Sequence, residues 1–437
     1  MHGTARSKAD KAEISGWLTT HTIASARDLF EGRQRGLGPY LAFFGPAVVV
    51  SVAYIDPGNI ATDIVAGARH GYLLLWVVVL ANLIAMLFQA LSARLGIVTG
   101  RNLAELCAEY FPRPVTLAMW LLSEVGAMAT DLAEFLGAAV GLALLIGMPL
   151  LAAMVAVGVA TYAVLMLERR GFRPLELVIG AMIAVVGVSY LIEIAIAPPD
   201  WHAALSHLIL PRLGGSDAFE LAVGIIGATV MPHVLFLHSG LTQARLLPRN
   251  EAERRRLIHL SNREVMIALG FAGLINLAMM LMAARVFFAT GHQGVAEIAT
   301  AYRTLLPLLG LGAATVFLVA LLAAGLSSSV VGTMAGQIIM QGFVGFRIPV
   351  WLRRIVTMVP AFIIVALGAG VTESLVLSQV VLSIVLPVPM IALLLFTQRR
   401  DIMGRHANGP VTAVAAGAGV AIVLGLNALY LYFLIFA

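Results

Sequence analysis

The chain has 437 residues, 60% of them hydrophobic and only 12% charged, with a mean hydropathy of +0.95. A soluble protein is about a quarter charged, so these figures exclude a soluble globular enzyme and define a polytopic membrane protein, expected to be all-α. The single cysteine, Cys107, excludes an internal disulfide and a thiolate-built structural zinc site, and the net charge of +5 reads as loop orientation rather than a nucleic-acid footprint.

Residues 1–39 are polar and mixed in charge, lack the pattern of a cleavable signal peptide, and read as a cytoplasmic tail with an amphipathic piece from Trp17 to Phe30. Apolar stretches of roughly 20 residues or more, enough to span a bilayer, then follow at Tyr40–Ala66, Leu73–Ile97, Val115–Ile146, Pro149–Leu167, Leu175–Ala197, Leu221–Arg245, Val265–Thr290, Leu305–Phe343, Val350–Gly368, Glu373–Thr397 and Val411–Phe436. Eleven spans with a cytoplasmic N-terminus place every basic residue inside except Arg69, Arg212, Arg285 and Arg303. One missed span would invert every later loop and destroy that asymmetry. The expected protein therefore lies in the cell's inner membrane, N-terminus cytoplasmic and C-terminus outside.

The longest connection without a basic cluster, residues 198–220, divides the chain. A first five-helix repeat (40–197) and a second (221–397) start on opposite sides of the membrane, as an inverted-topology repeat requires; a loop and an eleventh helix (398–437) complete the expected arrangement. Spans one and six then correspond, and both are interrupted. The first contains Asp56-Pro57-Gly58-Asn59, and the sixth, GIIGATVMPHVLFLHSG, contains Met231-Pro232-His233. A charge at mid-membrane costs at least ~2.5 kcal/mol, and a proline frees carbonyls that lipid cannot satisfy. Matched broken helices point to a transporter site at the midplane.

Asp56 offers an anionic oxygen, Asn59 a neutral one, and unwinding before Pro57 bares a carbonyl near Ala53; these hard donors suit divalent cations in general. Met231 adds a soft thioether, which shifts the preference toward transition metals over Ca²⁺ and Mg²⁺, and carbonyls near Ala228, freed by Pro232, complete the candidate shell. A methionine or a proline kink alone is ordinary in an apolar helix; the conjunction of two breaks, a carboxylate and a thioether is not.

Span three carries Glu124, Asp131 and Glu134, whose seven- and three-residue steps return within ~20° and ~60° of one direction, so three carboxyls form a stripe that can carry protons. His233 and His238 on span six titrate near physiological pH in their ordinary state, and His238 and Arg245 follow Met231 at steps of seven. Arg245, Arg353 and Arg354 are expected at the cytoplasmic mouth, either as topology markers or with one of them pairing with the stripe. Gly325, Gly332 and Gly336 read as a small-residue packing surface. Glu193 and Glu373 have no evident partners.

Asp56-Pro57-Gly58-Asn59 and Met231-Pro232-His233, together with GLSSSVVGTMAGQIIMQGF from Gly325 to Phe343, resemble the signatures of the Nramp family of divalent metal transporters, and the chain resembles its bacterial manganese-transporting members. Leu326 stands where the family usually has Gln. The resemblance, from Gly45 to Thr397, implies a LeuT-like fold of two inverted five-helix repeats plus an eleventh helix, with helices 1 and 6 discontinuous. It also implies import of Mn²⁺, Fe²⁺ and related ions such as Cd²⁺ and Co²⁺ coupled to protons, with metal ligands at Asp56, Asn59, Met231 and the carbonyls of Ala53 and Ala228. Gln379 joins them as an additional ligand, and His233 is left between ligand and proton carrier. The expected partners are metal ions, protons and the bilayer, with no resident cofactor and a monomer sufficient. The alternative on the same plan is a sodium- or proton-coupled amino-acid carrier. No GxxxxGK[ST] or HExxH motif is present, so neither an ATP-driven pump nor an intramembrane metalloenzyme is expected.

Overall fold

The computed structural model describes residues 45–167, 172–212, 214–243, 248–292, 298–346 and 348–436; the expected amphipathic piece at Trp17–Phe30 and Arg245 lie outside them. Among the described residues the protein is helical throughout, without a strand.

The first span is broken as its sequence demands. α1 (Pro46–Val52) tightens into a 3₁₀ turn (Ala53–Ile55), stops at Asp56, and α2 (Pro57–His70) leaves at 43° to it. Pro57 has no N–H to give back to the preceding turn, and its ring drives the residue before it out of the helical region; Asp56 accordingly sits at φ −74°, ψ 169°. From there its side chain accepts the backbone N–H of Asn59, capping the helix that Pro57 opens. The sixth span divides into α9 (Ser216–Thr229) and α10 (Pro232–Gln243) across Val230 (φ −101°, ψ 72°) and Met231, again just before a proline.

Between them lie α3 (Leu75–Thr99), the short capped α4 (Leu103–Tyr110), α5 (Arg113–Ile146), α6 (Leu150–Leu165), α7 (Phe172–Ile196) and α8 (Trp201–Ile209), the last occupying the 198–220 connection. Beyond α10 come α11 (Glu251–Ala283) with a π-helical end (Ala284–Phe288), α12 (Ile298–Val344), α13 (Val350–Ala366), α14 (Val371–Val385) and α15 (Pro387–Gln398). The small α16 (Arg400–Met403) and α17 (Pro410–Phe436) close the chain. α12 begins earlier than its apolar run suggested and kinks at Gly310, whose φ of 87° only glycine adopts readily. The tenth span is also two helices, divided at Pro387. Among the described residues eight helical stretches, with α9–α10 and α14–α15 each taken as one, are long and apolar enough to cross a membrane, and the bent α1–α2 pair makes a ninth. α6 and α13 are shorter than the ~20 residues of a full crossing, and α13 carries Arg353 and Arg354.

Packing partners exchange as an inverted repeat requires. α2 lies on α11 as α10 lies on α3; α7 lies on α12 as α14 lies on α5; α1 lies on α7 as α9 lies on α14. α5 and α12, each the counterpart of the other, form the central pair. Both broken helices are consequently held inside a helical frame rather than against lipid, which is where irregular backbone is tolerated in a membrane.

Candidate functional site

At the first break one amide group collects the acceptors. Asn59 Nδ2 donates to Asp56 Oδ1 (2.7 Å), to the carbonyl of Ala228 (3.1 Å) and to that of Ala53 (3.4 Å). These are the carboxylate and the two carbonyls that the breaks in spans one and six leave open, so the fold brings both halves of the expected constellation to within hydrogen-bonding distance of a single atom. Asp56 Oδ2 and Gln379 Oε1 are buried there with no hydrogen-bond partner among the described residues. Gln379, on α14, is wedged between the two breaks: a Cβ on Gly58 would overlap its side-chain amide, and one on Gly227 would overlap its carbonyl. Gly58 makes room for the side-chain amide and Gly227 for the α14 backbone. Met231 is fully buried at the second break, three residues after Ala228.

Sequence reasoning missed the outer ring of this site. Asn276 on α11 donates to the carbonyl of Tyr54 (2.8 Å) and lies 3.5 Å from Asn59 Oδ1, to which Thr229 Oγ1 also donates at 3.4 Å. The only signal for Asn276 was a lone amide in an apolar run. Asp63, seven residues after Asp56, is buried on α2; Glu193, noted in the sequence without a partner, is buried on α7. No three His, Cys, Asp or Glu side chains gather into a metal-holding group among the described residues; the donors here are one carboxylate, amides, carbonyls and a thioether.

A second constellation runs along α5. Both arginines of α13 reach the stripe, where the sequence left room for one: Arg353 grips Glu124 through two contacts (2.9 and 3.4 Å), and Arg354 Nη1 pairs with Asp131 at 3.2 Å. Thr333 on α12 lies 3.5 Å from the same nitrogen, and the Arg354 guanidinium stands 5.9 Å from the Phe135 ring centroid. Glu134 forms no ion pair within 4 Å among the described residues. It is buried, its charged neighbours are Asp131, Asp56 and Arg354, and so it links the stripe to the first break. Helix α5 touches that break directly, since Gly137 leaves the space that the Pro57 ring fills. Exposure of the paired carboxylates falls inward, from 17% for the Glu124 side chain to 3% for Asp131.

The glycines of α12 serve more than the helix packing expected of them. Gly325 does pack backbone to backbone, against Ala138 and Glu134. At Gly332, however, a Cβ would crowd the carboxylates of Glu134 and Asp131, and at Gly336 it would overlap the Arg353 guanidinium. The small-residue face is the room in which the charges sit.

The two histidines of α10 part company. His233 faces α5, with Nδ1 3.2 Å from Thr130 Oγ1, and Arg353 is its charged neighbour. His238 faces the other way, its Nδ1 2.9 Å from Gln89 Oε1 on α3, and Gln89 in turn donates to the Tyr54 hydroxyl at 2.7 Å. His233 thus belongs with the α5 stripe, whereas His238 belongs to a chain that ends on the 3₁₀ turn of the first span.

Two discontinuous helices crossing at a buried polar site, inside a frame of paired spans, define a membrane transporter of the LeuT-like class. The chain belongs to the Nramp family: the Natural resistance-associated macrophage protein-like model matches residues 47–433. It is 62% identical over 410 residues, 94% of this chain and 93% of the other, to a divalent metal cation transporter MntH of Verminephrobacter eiseniae. Its structure matches that of a manganese transporter of Eremococcus coleocola with a TM-score of 0.82 at 33% identity, covering 90% of this chain and 87% of that one. A likeness to Mhp1, a nucleobase-cation-symport-1 family transporter, has a TM-score of 0.57 at 14% identity over 90% of each chain and concerns the fold alone.

Proposed function

We propose that this protein imports divalent transition-metal ions, Mn²⁺ and Fe²⁺ foremost with related ions such as Cd²⁺ and Co²⁺, across the cytoplasmic membrane together with protons, by alternating access. The observation that carries the reading is the convergence of Asp56, Ala53 and Ala228 oxygens on the Asn59 amide, with the free oxygens of Asp56 and Gln379 beside it. An N–H group with partial positive charge stands where several acceptors meet, which is the electrostatic place of a cation. When the Asn59 amide turns over, its own oxygen joins the hard donors, while Met231 supplies the soft one that favours Mn²⁺ and Fe²⁺ over Ca²⁺ and Mg²⁺. A few exchangeable ligands suit a cargo better than a closed cage does.

Proton coupling follows from charge. Glu124 and Asp131 are neutralised by Arg353 and Arg354, whereas Asp56 and Glu134 have no ion-pair partner of their own among the described residues. A buried, unpaired carboxylate is costly; a divalent ion neutralises two, and so do two protons. Cargo and protons therefore compete for the same negative charge, and the proton released from Asp56 or Glu134 has Asp131, Glu124 and His233 as its onward neighbours. Arg245 falls outside the described residues, and His238 joins the route only through Gln89 and Tyr54.

An orientation with the N-terminus in the cytoplasm and the C-terminus outside is supported by the basic clusters, and one chain holds the whole site, so a monomer suffices. The repeats are assigned to 40–197 and 221–397, supported by the exchange of packing partners. The amino-acid carrier is disfavoured by Asp56: the α2 N-terminus that would hold a substrate carboxylate is already capped by this protein's own.

The test is uptake by the purified full chain in proteoliposomes across Mn²⁺, Fe²⁺, Cd²⁺, Co²⁺, Ca²⁺ and Mg²⁺, with a pH dye inside. Uptake of the first four, rejection of Ca²⁺ and Mg²⁺, and internal acidification with Mn²⁺ entry are expected. Mn²⁺ entry without acidification would remove the symport; no metal uptake would remove the reading.

A further inference from the structure

The first N–H groups of a helix find no partner within it. In α1 two of them are met from a different helix: Oε1 of Glu264, on α11, accepts from the N–H of Gly45 at 2.6 Å and from that of Ala47 at 3.0 Å. The local sequence cannot do this work. Gly45 at the cap position has no side chain to offer and Pro46 no N–H. Glu264 is 1% exposed, and a carboxylate at a helix N-terminus makes charge-assisted bonds aligned with the helix dipole.

The same helix holds the other end of the segment. Twelve residues beyond Glu264, Asn276 donates to the carbonyl of Tyr54. Twelve helical residues rise ~18 Å, close to the ~15 Å covered by the ten residues Pro46–Ile55, so α11 grips this half-helix at both ends. Between the segment and α2 stands only the extended residue Asp56, which interrupts the hydrogen-bond ladder. α1 is thus joined to α2 by a pivot and held to the frame by side chains.

We propose that Glu264 is the positioning residue of the gate on the face that carries the basic clusters: its carboxylate holds α1 closed by capping Gly45 and Ala47, and releases them when the site opens to that face. This rests on the transporter reading, since only alternating access requires α1 to leave. Asn276 stays with the metal-site end of the segment, so loss of the Glu264 contacts lets the segment swing about Asp56 rather than detach.

The test uses the full chain in sealed vesicles with Cys107→Ser as background and one reporter at a time: Ser51→Cys on α1, or Ala66→Cys on α2 toward the opposite face. A membrane-impermeant maleimide is applied from the basic face for the first and from the opposite face for the second. Glu264→Ala is expected to speed labelling of Ser51→Cys about tenfold and leave Ala66→Cys unchanged; Glu264→Gln, which keeps an acceptor without the charge, is expected to give about a threefold rise. Parent-rate labelling of Ser51→Cys in the Glu264 variants overturns the proposal. So does a rise at both reporters, which would mean general loosening. Should Glu264→Ala not assemble, Glu264→Gln alone is judged by the same two criteria. Mn²⁺ uptake by the parent in the same vesicles tests the transporter reading separately.

Discussion

Along α5 a half-buried carboxylate, Glu124, and a buried one, Asp131, each have an arginine, whereas at the broken helices Asp56 has none among the described residues and is met by an amide and a backbone N–H. The pairs on α5 bring their own neutralising charge into the bilayer; the broken helices leave a charge to be neutralised by something that arrives. On the proposed reading, that difference separates a permanent part of the protein from a place for cargo. Glu134 stands between the two regions, near Arg354 but with neither carboxylate oxygen hydrogen-bonded among the described residues.

The largest effect should come from removing the charge that has no partner. Asp56→Ala is expected to lower Mn²⁺ uptake into proteoliposomes by about 100-fold or more, the loss that ~2.8 kcal/mol carries; equal rates would take the carboxylate out of the mechanism. On α5 the opposite logic holds. Arg354→Met strands Asp131, and breaking a buried pair costs about 3–5 kcal/mol, so the thermal midpoint in detergent should fall clearly. Adding Asp131→Asn should restore most of that stability but not the internal acidification, with Mn²⁺ flux retained within about threefold. A double variant that still acidifies would make the pair structural only.

A smaller change is expected at the second break. Met231→Ala should reduce Mn²⁺ uptake by roughly five- to tenfold and weaken the discrimination against Ca²⁺ by more than that, since only the soft donor distinguishes the two; unchanged selectivity in competition uptake would sink the thioether's role. The smallest effect belongs to a pair outside the membrane. Hydrogen bonding from Arg399, at 3.1 Å, holds the exposed Asp401 carboxyl below its usual range, but exposed pairs contribute little. Asp401→Asn should leave both uptake and the unfolding midpoint unchanged. A measurable loss there would mean that the contrast between buried and exposed pairs has been drawn too sharply.

Much of this was legible before the fold. The breaks were visible because proline, glycine and a carboxylate contradict an apolar run, and the α5 stripe because three carboxyls repeat at helical spacing. What stayed hidden depends on long-range contact. Nothing in the sequence distinguishes Gly325, which packs backbone to backbone, from Gly332 and Gly336, which make room for charges carried by other helices. Glu264 drew no notice in the sequence, because its partner Gly45 lies 219 positions away. The histidines five residues apart looked alike, yet the helix turns them to opposite neighbours. Spacing gives direction around an axis, not what stands on the other side.

The Asn59 amide has a consequence for release. On the proposed transport reading, its nitrogen, within 2.7–3.4 Å of Asp56 Oδ1 and the Ala53 and Ala228 carbonyls, takes up part of the negative charge that a departing ion uncovers, while Asp56 Oδ2 and Gln379 Oε1 keep no partner among the described residues. A half-turn of one side chain substitutes an internal donor for the cargo, so the protein carries its own competitor for the site.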